Sequence, residues 1–203
     1  INEEWINLYI GGKGLGFRYL LEEVPKGTDP FSDENALIFM TGPLTGTTAP
    51  TSSRLAILTK SPATGTILDS YVGGNLGPEI KAAGYDAIIV KGKAGKPVYL
   101  YINNERVEMR DAQPLWGKGI FETEEVLRKE LGEKKMKLIS IGPAGENRIK
   151  FACLTSDKRQ AGRGGAGAVM GSKNLKSIAV LGQQKVKFHQ EGQFKKMIKE
   201  ITK

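Results

Sequence analysis

Three arginines stand beside two glycine-rich turns, and that combination is chemistry for holding anions. Arg54 leads an apolar run upstream of Gly73-Gly74-Asn75-Leu76-Gly77, while Arg159 and Arg163 bracket Gly162 and precede Gly164-Gly165-Ala166-Gly167. A guanidinium presents a planar fork of donors that fits a phosphate or the edge of a planar heterocycle, which lysine does not match. Glycine lets backbone N–H groups turn outward and approach a ligand closely, and a helix N-terminus behind the turn adds a positive dipole end. A lone arginine is most simply a solvated surface residue. Three of them beside two matching turns point to two anion sites.

Other chemistries fit the residues less well. Cys153 is the only cysteine and His189 the only histidine, so this chain's side chains do not make a zinc or iron–sulfur site, which needs several such ligands. Cys153 sits in an apolar run without a histidine nearby and reads as buried packing rather than a nucleophile. Asp86 and Asp157 read as turn residues rather than as an acid pair. Gly162-x-Gly164-x-x-Gly167 has the spacing of a dinucleotide fingerprint, but a polar stretch precedes it and no acid follows at ~20 residues. Gly171-Ser172-Lys173 has the wrong order and spacing for a phosphate-binding Walker loop.

The elements that must position these residues come in two copies. The first runs through Leu37–Met40, Gly42-Pro43, Gly46, the run from Arg54 to Thr59, the Gly73-Gly74 turn, a helix at Pro78–Gly84 and a strand from Ala87. The second runs through Leu138–Ile141, Gly142-Pro143, Gly145, the run from Arg148 to Thr155, the Gly164-Gly165 turn, a helix from Met170 and a strand from Ile178. Each copy therefore reads strand, Gly-Pro turn, Arg-led strand, Gly-Gly turn, helix, strand, over residues 37–92 and 138–182.

Around the copies, residues Glu3 to Leu21 read as a helix broken by Gly11-Gly12-Lys13-Gly14 and stopped by Pro25. Pro97 to Met109 reads as a hairpin turning at Asn103-Asn104. Thr123 to Leu131 reads as an amphipathic helix with Thr123 as N-cap and Gly132 just past its end. Hairpins interrupt the alternation of strands and helices. The pattern predicts an α+β fold of two related halves with two mixed β-sheets rather than a doubly wound parallel sheet.

The 203 residues are 39% hydrophobic and 26% charged, enough for a sizeable core. No run approaches the ~18 apolar residues of a membrane span, and a single cysteine fits a reducing cytoplasm. Residue 1 is Ile without a secretory pattern behind it, so the chain is expected to start inside a longer gene product. Much of the +8 net charge collects in the tail, on Lys185, Lys187, Lys195, Lys196, Lys199 and Lys203. There Phe194, Met197, Ile198 and Ile201 fall at helical spacing. Aromatics are 7% and are not interleaved with the basic residues, which argues against nucleic acid as partner.

Gly11-Gly12-Lys13-Gly14-Leu15, Thr41-Gly42-Pro43-Leu44-Thr45-Gly46-Thr47, Ala49-Pro50-Thr51 and Ala83-Gly84-Tyr85-Asp86-Ala87-Ile88 carry a resemblance. Gly142-Pro143-Ala144-Gly145-Glu146-Asn147, Ala161-Gly162-Arg163-Gly164-Gly165 and Gly167 through Lys176 continue it. Together they resemble the N-terminal domain of the tungsten-dependent aldehyde ferredoxin oxidoreductase family, over nearly the whole chain to about Gly182. Relative to that family, a first β-hairpin and the later domains are expected to lie outside these residues.

The resemblance implies an enzyme oxidising aldehydes to carboxylic acids and passing electrons to ferredoxin, with a tungsten or molybdenum bis-pterin as cofactor. Residues 1–182 would be the base on which the two pterins lie, and residues 183–203 a linker and the start of a helix to another domain. Arg54 matches the arginine between pterin and iron–sulfur cluster. Gly73 and Gly74 match the stretch over one pterin phosphate, and Arg159, Gly162 and Arg163 the loop at the other. Tyr71 and Gln160 match positions whose backbone carbonyls reach a phosphate-bridging magnesium. The 4Fe-4S cluster would belong to the later domains, in keeping with one cysteine here. The implied partners are those domains, ferredoxin and a small aldehyde, with a homo-oligomer left open. A different class also stays open: a non-catalytic phosphate- or nucleotide-binding module using the same turns.

Overall fold

Runs of consecutive apolar residues become strands buried on both faces, and helices cover them. In the computed structural model, which describes residues 2–202, the chain opens with helices α1 (Glu3–Tyr9) and α2 (Gly12–Glu23). The expected break falls at Ile10-Gly11, where Ile10 takes φ 66°. α2 stops at Glu23 because Val24, the residue before Pro25, is extended. Strands β1 (Leu37–Met40), β2 (Leu55–Lys60) and β3 (Ile67–Val72), helix α3 (Leu76–Ala82) and strand β4 (Ala87–Val90) follow. The strands form a sheet in the order β3-β2-β1-β4.

The second half begins with the hairpin β5 (Val98–Asn103) and β6 (Arg106–Asp111), then helix α4 (Ile120–Leu131). Strand β7 (Lys137–Ser140), the short helix α5 (Pro143–Glu146), strands β8 (Leu154–Ser156) and β9 (Arg159–Ala161), helix α6 (Ala166–Ser172) and strand β10 (Leu175–Leu181) complete it. Its sheet runs β6-β5-β10-β7-β8-β9 and is parallel only between β5 and β10. Helix α7 (Glu191–Ile201) follows and buries no residue. Ile1 and Lys203, the outermost residues of the two expected segments, lie outside the described residues. Among the described residues no helix is long and apolar enough to cross a membrane.

The fold is α+β with two sheets, the first antiparallel throughout and only the second mixed. Within the second, β9-β8-β7-β10 repeats the order and antiparallel sense of β3-β2-β1-β4, with a seven-residue helix before each closing strand. Register fixes the correspondence. Met40 pairs with Ala56 and Ala56 with Tyr71; Ser140 pairs with Thr155 and Thr155 with Gln160.

Five local readings change. The second unit's helix runs Ala166–Ser172 rather than starting at Met170, so β10 begins at Leu175 and not Ile178. The second run is not an Arg-led strand: Arg148 takes φ 54° in a turn after α5, and pairing begins only at Leu154. The register therefore sets Arg54 against Cys153, not Arg148. Cys153 is itself half-buried, because the chain is still entering the sheet there. Thr123 lies inside α4, its hydroxyl donating to the Gly119 carbonyl at 2.9 Å, because extended Gly119 already caps the helix. The hairpin turns one residue later, at Asn104-Glu105, since Asn103 pairs with Arg106 and Asn104 takes φ 51°.

Alternation along the strands divides the core into layers. Leu37, Phe39, Leu55 and Ile57 face α3, α6 and the inner side of the second sheet, including Leu100, Ile139 and Val180. Ile38, Met40, Ala56 and Leu58 face Leu15 and Leu20 of α2. Tyr99, Leu138 and Ala179 face Leu127 of α4.

Candidate functional site

Besides the shared core, edge strands β3 and β9 meet between the two halves, and most of the candidate residues lie on or beside them. The backbone N–H of Arg163 donates to Ser70 Oγ at 3.3 Å. The β8–β9 turn lies across the first glycine turn: Asp157 Oδ2 accepts from the Asn75 N–H at 3.1 Å. A Cβ on Gly73 would stand 3.2 Å from Arg159 Cδ, and one on Gly74 would stand 3.2 Å from the Asp157 carboxylate. The β2–β3 turn returns the contact. Ser61 Oγ donates to the Gly164 carbonyl at 2.7 Å, and a Cβ on Gly164 would come within 2.4 Å of Leu68 Cδ1. The hairpin of each half thus leans on the glycine turn of the other.

The glycines of the second turn are closed off by packing within their own half as well. Gly165 has φ +84°, and a Cβ there would lie 1.9 Å from the Lys150 carbonyl oxygen. The open glycine of this loop is Gly162, with nothing within 4 Å of its Cβ position. Gln160, Gly162 and Arg163 are all exposed.

Arg54 is exposed immediately before β2 and lines a cavity of about 370 Å³ with Gly12, Lys13, Pro43 and Tyr71. Asp69, two residues before Tyr71 and on the same face of β3, accepts from the Tyr71 hydroxyl at 3.0 Å and pairs with Lys13 Nζ at 3.1 Å. Partial burial pushes the Asp69 carboxyl up, but the hydrogen bonds from Lys13 and Tyr71 and the Lys13 charge bring it below its ordinary value. Burial, reinforced by the Asp69 hydrogen bond and charge, raises the Tyr71 phenol.

The structure groups the sequence-derived residues in two sets. Arg159 lies against Gly73 and Gly74, and Arg54 shares its cavity with Tyr71. The donor set suits anions: the exposed guanidiniums of Arg54, Arg159 and Arg163, the last two beside Gly162, whose backbone is open. Two carboxylates stand among these donors: Asp157 takes the Asn75 N–H of the first turn, and Asp69 is paired with Lys13. Two buried hydroxyls on β8, Thr155 Oγ1 and Ser156 Oγ, have no hydrogen-bond partner, and their ladder partners are Gln160 and Arg159. Sequence reasoning gave Lys13 and Asp69 no role and took Asp157 only as a turn residue. The alternation of Asp69 and Tyr71 was the available signal for the first pair. Nothing in the sequence marked the contact of Asp157 with Asn75, 82 residues away.

Residues 1–182 match the family described as aldehyde ferredoxin oxidoreductase, N-terminal domain. The chain is 54% identical over 200 residues to the tungsten-containing aldehyde ferredoxin oxidoreductase of Pyrococcus horikoshii, covering 98% of this chain and 33% of that protein. It is 43% identical over 198 residues to the aliphatic sulfonate oxidoreductase, WOR-like subunit, of Pyrococcus furiosus, covering 90% of this chain and 31% of that one. Among solved structures, the active site complex BamBC of benzoyl coenzyme A reductase in complex with 1,5 dienoyl-CoA matches with a TM-score of 0.97 at 42% identity. That match covers 100% of this chain and 31% of the other. The chain spans about a third of the length of the curated relatives it matches.

Proposed function

This chain belongs to the aldehyde ferredoxin oxidoreductase family as its N-terminal domain, and we propose that it is the cradle for a tungsten bis-pterin cofactor in an aldehyde-oxidising enzyme. The observation that carries the reading is the repeated ladder register. Tyr71 and Gln160 occupy equivalent positions, and a glycine follows each two residues later, Gly73 and Gly162. A ligand with two like halves calls for two like-built holders. Tungsten is favoured over molybdenum because relatives at 54% and 53% identity are tungsten-containing.

In this reading the Arg54 fork takes a pterin edge, and the guanidiniums of Arg159 and Arg163 neutralise phosphates. The backbones of Gly73, Gly74 and Gly162 approach those phosphates closely, and the carbonyls of Tyr71 and Gln160 are offered to a bridging magnesium. When bound, the metal centre supplies a two-electron oxidation of the substrate carbonyl, with electrons leaving through a 4Fe-4S cluster to ferredoxin. This chain's part is orientation and charge. The cluster's cysteines must come from outside it, since it has only Cys153. Relatives named for aldehydes and for aliphatic sulfonates share this third of their length, so substrate choice is assigned to the remainder.

The test is to purify, without oxygen, the protein that carries this chain and to measure tungsten and pterin. The expected result is about two pterins per tungsten, with both depleted in the Arg159→Ala, Arg163→Ala double variant. Metal-free protein that instead retains a nucleotide would overturn the reading in favour of a phosphate-binding module.

A further inference from the structure

The cofactor contacts above use only the carbonyl of Tyr71, yet its side chain is built into the cavity of Arg54. The ladder pairs Tyr71 with Ala56, whose small side chain leaves room beside Arg54. The hydroxyl is tied at 3.0 Å to Asp69, and Asp69 at 3.1 Å to Lys13 in the first turn of α2. A polar chain of three residues therefore runs from α2 to β3 and holds the ring at the cavity wall. Tyr71 is 37% exposed, so it is held without being covered. The equivalent position in the other half carries Gln160, an amide without a ring.

A guanidinium fork and an aromatic ring in one cavity suit a planar heterocycle with a hydrogen-bonding edge: the fork takes the edge, and the ring packs against the flat system. We propose that Tyr71, fixed by Asp69 and Lys13, is a positioning residue that packs against the planar heterocycle held at Arg54, making this the tighter of the two half-sites. The inference rests on the cofactor reading and adds to it a side-chain contact that the second half lacks.

The experiment is a titration of the chain with 6-carboxypterin, read by pterin fluorescence, with a thermal melt of every variant. Tyr71→Ala and Tyr71→Leu are expected to weaken binding about ten-fold, the scale of one lost aromatic stack. Tyr71→Phe keeps the ring but loses its tie, so it should lose only about two- to three-fold. Lys13→Ala should behave like Tyr71→Phe, and Lys13→Arg should restore binding, a rescue that a merely structural role would not show. Binding lost in Arg54→Ala but unchanged in Tyr71→Ala, with both variants folded, would overturn the role of Tyr71 and leave the cofactor reading standing. A wild-type chain that does not bind the pterin would overturn both.

Discussion

Arg54 stands immediately before β2, exposed and at the lining of the cavity at once, so its substitution separates two roles. If the fork holds a pterin edge, Arg54→Lys keeps charge but not the paired geometry, and Arg54→Ala loses both. A charge-assisted hydrogen bond contributes roughly 1.5–3 kcal/mol, so Arg54→Ala in the enzyme carrying this chain should lower tungsten retention or turnover by about ten-fold or more, with Arg54→Lys between. Wild-type tungsten content and turnover in Arg54→Ala would make it a surface residue. Lys173 makes a different residue-scale prediction. It is 2% exposed, and its ammonium donates to the Gly92 carbonyl at 3.1 Å. Burial pushes its pKa down to about 8; the Asp33 charge opposes this and Lys91 adds to it. Unfolded lysine titrates near ~10.4, so between these values the unfolded chain binds more protons and stability rises with pH. Urea midpoints should therefore climb from pH 8 to 9.5 in the wild type, and Lys173→Met should remove that climb. The raised phenols of Tyr71 and Tyr99 act in the opposite sense only above about pH 10.

At the scale of elements, the crossed hairpins decide which glycines matter to folding and which to ligand. Asp157 reaches from the β8–β9 turn to the Asn75 N–H, directly after Gly74. Asp157→Ala removes a bond to a charged acceptor, so the Asn75 amide should exchange with solvent about ten-fold faster or more in hydrogen-exchange measurements. Unchanged exchange would mean that the turn holds itself. Gly165→Ala places a Cβ 1.9 Å from the Lys150 carbonyl oxygen at φ +84° and should destabilise the chain by about 3 kcal/mol or more in urea unfolding. Gly162→Ala meets nothing within 4 Å and should leave stability within about 0.5 kcal/mol. If it also leaves tungsten retention unchanged, the close-approach role of Gly162 fails.

For the whole molecule, the matched strand orders carry the expectation that residues 37–92 and 138–182 superpose about a pseudo-two-fold axis. The reciprocal Ser61–Gly164 and Asn75–Asp157 contacts are what such an axis would produce. An experimental structure whose two halves fail to superpose strand on strand and helix on helix would end that reading. The 203-residue chain purified by itself should contain no iron and should not reduce a viologen dye with an aldehyde, because one cysteine does not hold a four-iron cluster. Aldehyde-dependent dye reduction by the chain alone would overturn the division of labour proposed for it.

Much of this was legible in the sequence because it is local. Apolar runs such as Leu37–Met40 mark strands, and Gly132 ends α4 in the left-handed conformation at φ 67°. The short strand β9, which carries Arg159 and Gln160, was not legible, because three largely polar residues have no periodicity to read. Nor could the sequence say that Arg54 corresponds to Cys153, since ladder register depends on where β2 and β8 begin to pair. Gly162 and Gly165 look alike along the chain, yet one is open and the other is pressed against the Lys150 carbonyl. The Lys13–Asp69–Tyr71 chain likewise joins a helix to a strand 56 residues on. Local conformation is written in neighbouring side chains; which glycine meets a ligand and which meets backbone is decided only when distant segments pack.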